Sequence, residues 1–218
     1  MKRSLAGLTV FVLLGRPASA HRLDEYLQAS LISLSRDRVQ VQLDLTPGVA
    51  VAPLVLAAVD ADGDGTISES ERNGYAARVL RDLSLTVDGE PLRLGLVSSR
   101  FPETGEMKEG LGVIRLEMAA ALPASWSAPN RRVSFENHHL GAISAYLVNS
   151  LVPPDPALQI TAQSRDYRQS AYRVDYLESG ARPAAPSFSA WTGMAAWLWA
   201  AVLVLLARTA IVWRRQSS

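Results

Sequence analysis

The sequence predicts an α+β fold: mainly an antiparallel β sandwich or open barrel, with an inserted helix–loop–helix and one C-terminal transmembrane helix. Three observations carry that expectation. Apolar residues alternate with polar ones at period two along most of residues 26–178, as they do in half-buried strands. One stretch, 49–83, changes to helical spacing on either side of an Asp/Gly-rich run. Residues 191–213 form a nearly unbroken apolar segment.

The strands follow in order. Tyr26 to Leu34 leads through Ser35-Arg36-Asp37 into Val39, Val41, Leu43 and Leu45, which alternate with Gln40, Gln42 and Asp44. The same rhythm returns at Leu83/Leu85/Val87, Leu92/Leu94/Leu96, Ile114/Leu116/Met118 and Val133/Phe135. It closes with Leu158/Ile160/Ala162 and Tyr172/Val174/Tyr176. Asp88-Gly89 is a hairpin turn signal. Pro102–Gly110 and Leu122–Asn130 read as loops. Many short strands separated by turns favour antiparallel layers.

The insertion begins after Thr46-Pro47-Gly48. Val49 to Val59 fits a short helix that tolerates Pro53 in its first turn. Ser68 to Leu83 fits a second, with Tyr75, Val79 and Leu83 on one side and Ala76 and Leu80 beside them. Between them Asp60 to Glu71 reads Asp-Ala-Asp-Gly-Asp-Gly-Thr-Ile-Ser-Glu-Ser-Glu. This run resembles the calcium loop of the EF-hand family, over the loop and its flanks. The resemblance implies Asp60, Asp62 and Asp64 as ligands at loop positions 1, 3 and 5, and Gly65 at the sharp turn of position 6. Thr66 would offer its carbonyl, Ser68 a hydroxyl or bridging water, and Glu71 a bidentate carboxylate. The expected cofactor is therefore Ca²⁺. The plainer alternative is a polar turn without metal; Ile67 at position 8 and the closing Glu71 speak against it. No second Asp-x-Asp-x-Asp-Gly occurs, so Ile67 needs a partner other than a paired loop. The groove-opening response of paired sensor loops is not expected.

The ends address location. Met1 to Ala20 has a basic start (Lys2, Arg3), an apolar stretch from Leu5 to Leu14 and the small-residue exit Ala18-Ser19-Ala20, the layout of a cleavable signal peptide. Cleavage there makes His21 the mature N-terminus. Residues 180–190, rich in Pro, Ala and Ser, read as a linker to the membrane. Residues 191–213 would span about 34 Å as a helix, with Trp191, Trp197, Trp199 and Trp213 towards its ends. Arg208 lies near enough to one end to snorkel, and Arg214 and Arg215 mark 214–218 as a cytoplasmic tail. The expected topology is single-pass, with the N-terminal domain (21–179) outside, in a bacterial periplasm.

Of the 22 basic residues, six lie in the two end segments and none of the 21 acidic residues does, so the remainder is mildly acidic. That balance argues against nucleic acid as partner. Absence of Cys excludes disulfides, thiolate metal sites and iron–sulfur clusters. There is no Asn-x-Ser/Thr sequon. No nucleophile elbow, His-Glu-x-x-His helix or phosphate-binding glycine loop occurs, so no enzyme is expected.

His21, His138 and His139 are the only histidines. An N-terminal His offers amine and ring nitrogens together, a chelate suited to copper or nickel. His138 and His139 would face opposite ways if they continue the strand ending near Asn137, so only one of them is placed to join. The commoner reading is two polar loop histidines. The mature start His21-Arg-Leu-Asp-Glu-Tyr-Leu, the strands and the Asp-rich helical excursion are similar to exported leader domains of hydrogenase/urease accessory-type nickel/cobalt permease-like proteins. The expected function is a membrane-anchored, calcium-binding exported module presenting a surface to another envelope protein, with Ca²⁺ mainly structural. The alternative is nickel, cobalt or copper handling through His21 and His138 or His139.

Overall fold

Alternation at period two becomes two five-stranded sheets in the computed structural model, which describes residues 24–123 and 129–179. The expected signal peptide, His21, linker, transmembrane helix and tail lie outside the described residues. Among the described residues no helix is long and apolar enough to cross a membrane.

The first sheet has the order β5 (Gly95–Arg100), β6 (Ile114–Ala121), β2 (Arg38–Pro47), β1 (Tyr26–Leu34), β8 (Ser144–Ser150). Its pairs are antiparallel except β1 with β8, which run parallel. The second sheet, wholly antiparallel, has the order β4 (Glu90–Pro91), β3 (Leu83–Val87), β7 (Asn130–Asn137), β10 (Ala171–Glu178), β9 (Leu158–Arg165). Two separate sheets correspond to the sandwich and not to the open barrel.

Each strand places one face in the core. Val39, Val41, Leu43 and Leu45 of β2 are fully buried beside Ile114, Leu116 and Met118 of β6, and register pairs Leu43 with Leu116. Val133 and Phe135 of β7 meet Val174 and Tyr172 of β10 in the same way. All join one apolar cluster. Asp88 and Gly89 both have positive φ, +55° and +88°, which the tight β3–β4 turn requires.

Three expectations are corrected. Leu92 and Leu94 are not in a strand, because β4 belongs to one sheet and β5 to the other, so the intervening residues cross between layers. Within the expected loop Pro102–Gly110 sits a short helix, α3 (Thr104–Lys108), seated by fully buried Met107. Strand β8 was not expected at all. Its Tyr146, Leu147 and Val148 are apolar on both faces, which erases the alternation.

The inserted helices are α1 (Ala52–Val59) and α2 (Glu69–Arg81). α1 begins with Pro53 in its first turn and buries Ala52, Val55, Leu56 and Val59. α2 buries Tyr75, Ala76 and Val79, the expected stripe, while Leu83 already belongs to β3. Ser68 and Glu71 form a reciprocal capping box at its start. Glu69 and Glu71 in the first turn and Arg78 and Arg81 in the last also suit the helix dipole.

Because Leu116 is fully buried where the layers meet, Leu116→Ala is expected to destabilise the fold by about 2–5 kcal/mol. Leu147→Ala, on the exposed face of β8, is expected to change it by no more than about 0.5 kcal/mol. Urea unfolding of both variants checks the contrast.

Candidate metal centre

The loop between α1 and α2 is held by its own amides. Asp60 accepts from Gly63 N–H through Oδ1 (2.9 Å) and from Gly65 N–H through Oδ2 (3.0 Å). Gly65 has φ +85°, a conformation that only glycine takes without strain. Asp62 Oδ1 accepts from Asp64 N–H (3.2 Å), and Asp64 Oδ1 from Thr66 N–H (2.7 Å). Glu71 reaches back across the loop. Its Oε1 accepts from Ala61 N–H (2.6 Å), and its Oε2 accepts from the N–H and hydroxyl of Ser68 (2.9 and 2.7 Å).

Those bonds to the charged form, led by the Ser68 hydroxyl, hold the Glu71 carboxyl down at about 2. It is therefore ionised at any ordinary pH. Asp60, Asp62 and Glu71 each bring a carboxylate oxygen to within 4.8 Å of the other two. Hard oxygen donors converging at that range suit a divalent cation such as Ca²⁺. Of the six expected ligands, these are the three whose side chains the structure gathers. Asp64 instead steadies the Thr66 amide, and the Ser68 hydroxyl is engaged in the helix cap. Thr66, exposed beyond the turn, is positioned through its amide.

The loop is tied to the domain at two points. Ile67 is only 9% exposed and belongs to the core cluster, so the core takes the place of a second loop. Thr104 of α3 donates its hydroxyl hydrogen to the Gly65 carbonyl (3.0 Å).

No protein-family model and no curated protein matches the chain.

Both histidines follow the end of β7, and only one of them is the exposed polar loop residue expected. His138 is 67% exposed and bonds Glu136 at 3.0 Å, whereas His139 is completely buried. The two face opposite ways, and Asn137, two residues before His139, also points inwards. His139 Nδ1 meets Asp82 Oδ2 at 2.6 Å, and its Nε2 meets the Tyr75 hydroxyl at 3.0 Å, which in turn meets the Tyr26 hydroxyl at 2.7 Å. An ionised carboxylate only accepts, so Nδ1 carries the proton and Nε2 accepts from Tyr75. Tyr26 then donates to the Tyr75 oxygen, and every hydrogen in the chain is used.

Burial pushes the His139 imidazole below its ordinary value, and the Asp82 carboxylate opposes that only in part. Protonating Nε2 would also displace the Tyr75 donor. Burial likewise raises Tyr75, to about 12. This relay fastens α2 to β1 and to the turn after β7. Sequence gave no sign of it beyond a Tyr in the helical stripe and a His after a strand.

Between the folded value and about 6.5 the unfolded chain binds a proton at His139 that the folded chain refuses. Stability is therefore expected to fall as pH drops from about 7 into that window. Chemical denaturation across pH should show the slope, and His139→Gln should flatten it while lowering stability at pH 8.

Proposed function

We propose that this chain is a calcium-binding, exported and membrane-anchored module in which the ion is mainly structural, and that it presents a surface to another envelope protein. The observation that carries the calcium reading is the convergence of Asp60, Asp62 and Glu71 on one point at the mouth of α2. Three carboxylates so close repel one another, and a divalent cation between them converts that repulsion into attraction. Asp64, Thr66 and Ser68 are the residues that would complete such a shell.

A structural ion follows from what the loop is attached to. Ile67 lies in the core and α2 is fastened at its far end through His139, so there is little for calcium to open. A ligand that binds only the folded state adds RT ln(1 + [Ca²⁺]/Kd), about 1.4 kcal/mol at ten times Kd. Extracellular modules commonly bind at about 10⁻⁴–10⁻³ M. The export and anchoring parts of the reading rest on the two end segments of the sequence. Nickel, cobalt or copper handling would have to use His21 with His138, because both ring nitrogens of His139 are committed.

Calorimetric titration of the full chain in mild detergent is expected to give saturable heat with Ca²⁺ and a higher melting temperature. Glu71→Gln is expected to remove both, since Gln keeps the capping box but not the charge. Absence of heat at millimolar Ca²⁺ would sink the reading.

A further inference from the structure

On the side of α2 away from the metal loop, the helix, the start of β3 and the crossing segment between β4 and β5 enclose a groove of about 560 Å³. Leu80, Leu83, Leu92 and Leu94 line it. All four pack on the core yet remain partly open to solvent. Arg81 and Arg93 stand exposed at its margin, and neither has an ion-pair partner among the described residues. The carboxylate on the next strand, Glu136 opposite Ser84, is engaged by His138.

Beside the groove the edge of β3 is paired only in part. The ladder of β3 with β4 holds only Thr86 with Pro91 and Val87 with Glu90, lengthened by one bond from Leu92 N–H to the Leu85 carbonyl (2.8 Å). Towards Leu83 and Ser84, β3 has β7 on one side and, among the described residues, no strand on the other. An uncovered strand edge offers N–H and C=O groups to an incoming extended chain.

We propose that this groove receives an extended segment of another protein in which apolar side chains alternate with carboxylates. The apolar side chains cover the four leucines, the backbone adds to the open edge of β3, and the carboxylates meet Arg81 and Arg93. Alternation in the ligand follows from the pleat: successive side chains of an added strand point to opposite faces. Charge selects the segment, since two unpaired guanidiniums favour acidic partners and repel basic ones. This inference rests on the partner-binding half of the proposed function and not on its calcium half.

The test uses the full chain in mild detergent and two fluorescein-labelled peptides, one alternating Val with Glu and one alternating Val with Lys, followed by anisotropy. The Glu peptide is expected to bind saturably, and the Lys peptide at least about tenfold more weakly, in keeping with two charge contacts at an exposed rim. The double variant R81E/R93E, altered only at exposed positions, is expected to reverse that preference with its circular dichroism unchanged. No saturable binding, equal binding of both peptides, or an unaltered preference in the double variant would overturn the proposal. So would loss of the Glu peptide's advantage to phosphatidylglycerol vesicles, if the vesicles bound through the same arginines and the peptide did not bind. Peptide binding retained when calcium gives no heat would leave this inference standing while the calcium reading fell.

Discussion

The hub of the molecule is His139. Its imidazole joins Asp82 at the end of α2 to the hydroxyls of Tyr75 and Tyr26, the one on the helix and the other on β1. Its main chain is held as firmly. The carbonyl accepts from Gln28 Nε2 (2.7 Å) and the Tyr146 hydroxyl (3.0 Å), while the amide donates to Asn137 Oδ1 (2.9 Å). Asn137 in turn donates to Gln28 Oε1 (2.8 Å). The residue stands where the chain leaves the second sheet after β7 for the first sheet at β8, so a single buried network registers both layers and the inserted helix. Buried polar groups so completely bonded specify one arrangement, because any other leaves them unpaired at a cost of about 1–3 kcal/mol each.

This explains how a loop of exposed carboxylates is held to a fixed place on a β domain. α2 has its start defined by Ser68 and Glu71 and its end by Asp82 and His139. The residues that hold the acidic loop are the same ones that start the helix. Glu71 therefore serves three segments at once: the entry of the loop at Ala61, the cap at Ser68 and the point where carboxylates converge. With Ile67 in the core, movement of the loop is coupled to the packing of the whole domain.

Strands with one buried and one solvated face were readable residue by residue, as in β2, whose Val39, Val41, Leu43 and Leu45 are all buried. The insertion was readable too, because its spacing changes. β8 was not, since an edge strand with Leu147 outside and Val148 inside carries no alternation. Nor was the crossing at Leu92–Leu94, because an apolar residue looks the same whether it closes a strand or bridges two layers. At the candidate site, the sequence singled out the loop whose carboxylates lie close together but could not say which oxygens converge. Asp62 and Asp64 have identical chemistry, and only the path of the backbone separates their tasks. His139 was hidden for a related reason: its partners Tyr26, Tyr75 and Asp82 are distant in sequence and come together only through tertiary structure.

The parallel pairing of β1 with β8 has a consequence in time. Tyr26 finds its neighbour Ser144 only after more than a hundred further residues have been made. Until then one edge of β1 stays open, bearing Leu27 and Leu31, and the Gln28 amide has none of its partners from residues 137–144. Contacts so far apart in sequence make for slow closure, and a waiting strand edge invites wrong pairing. The first strand of this domain is thus among the last to be completed.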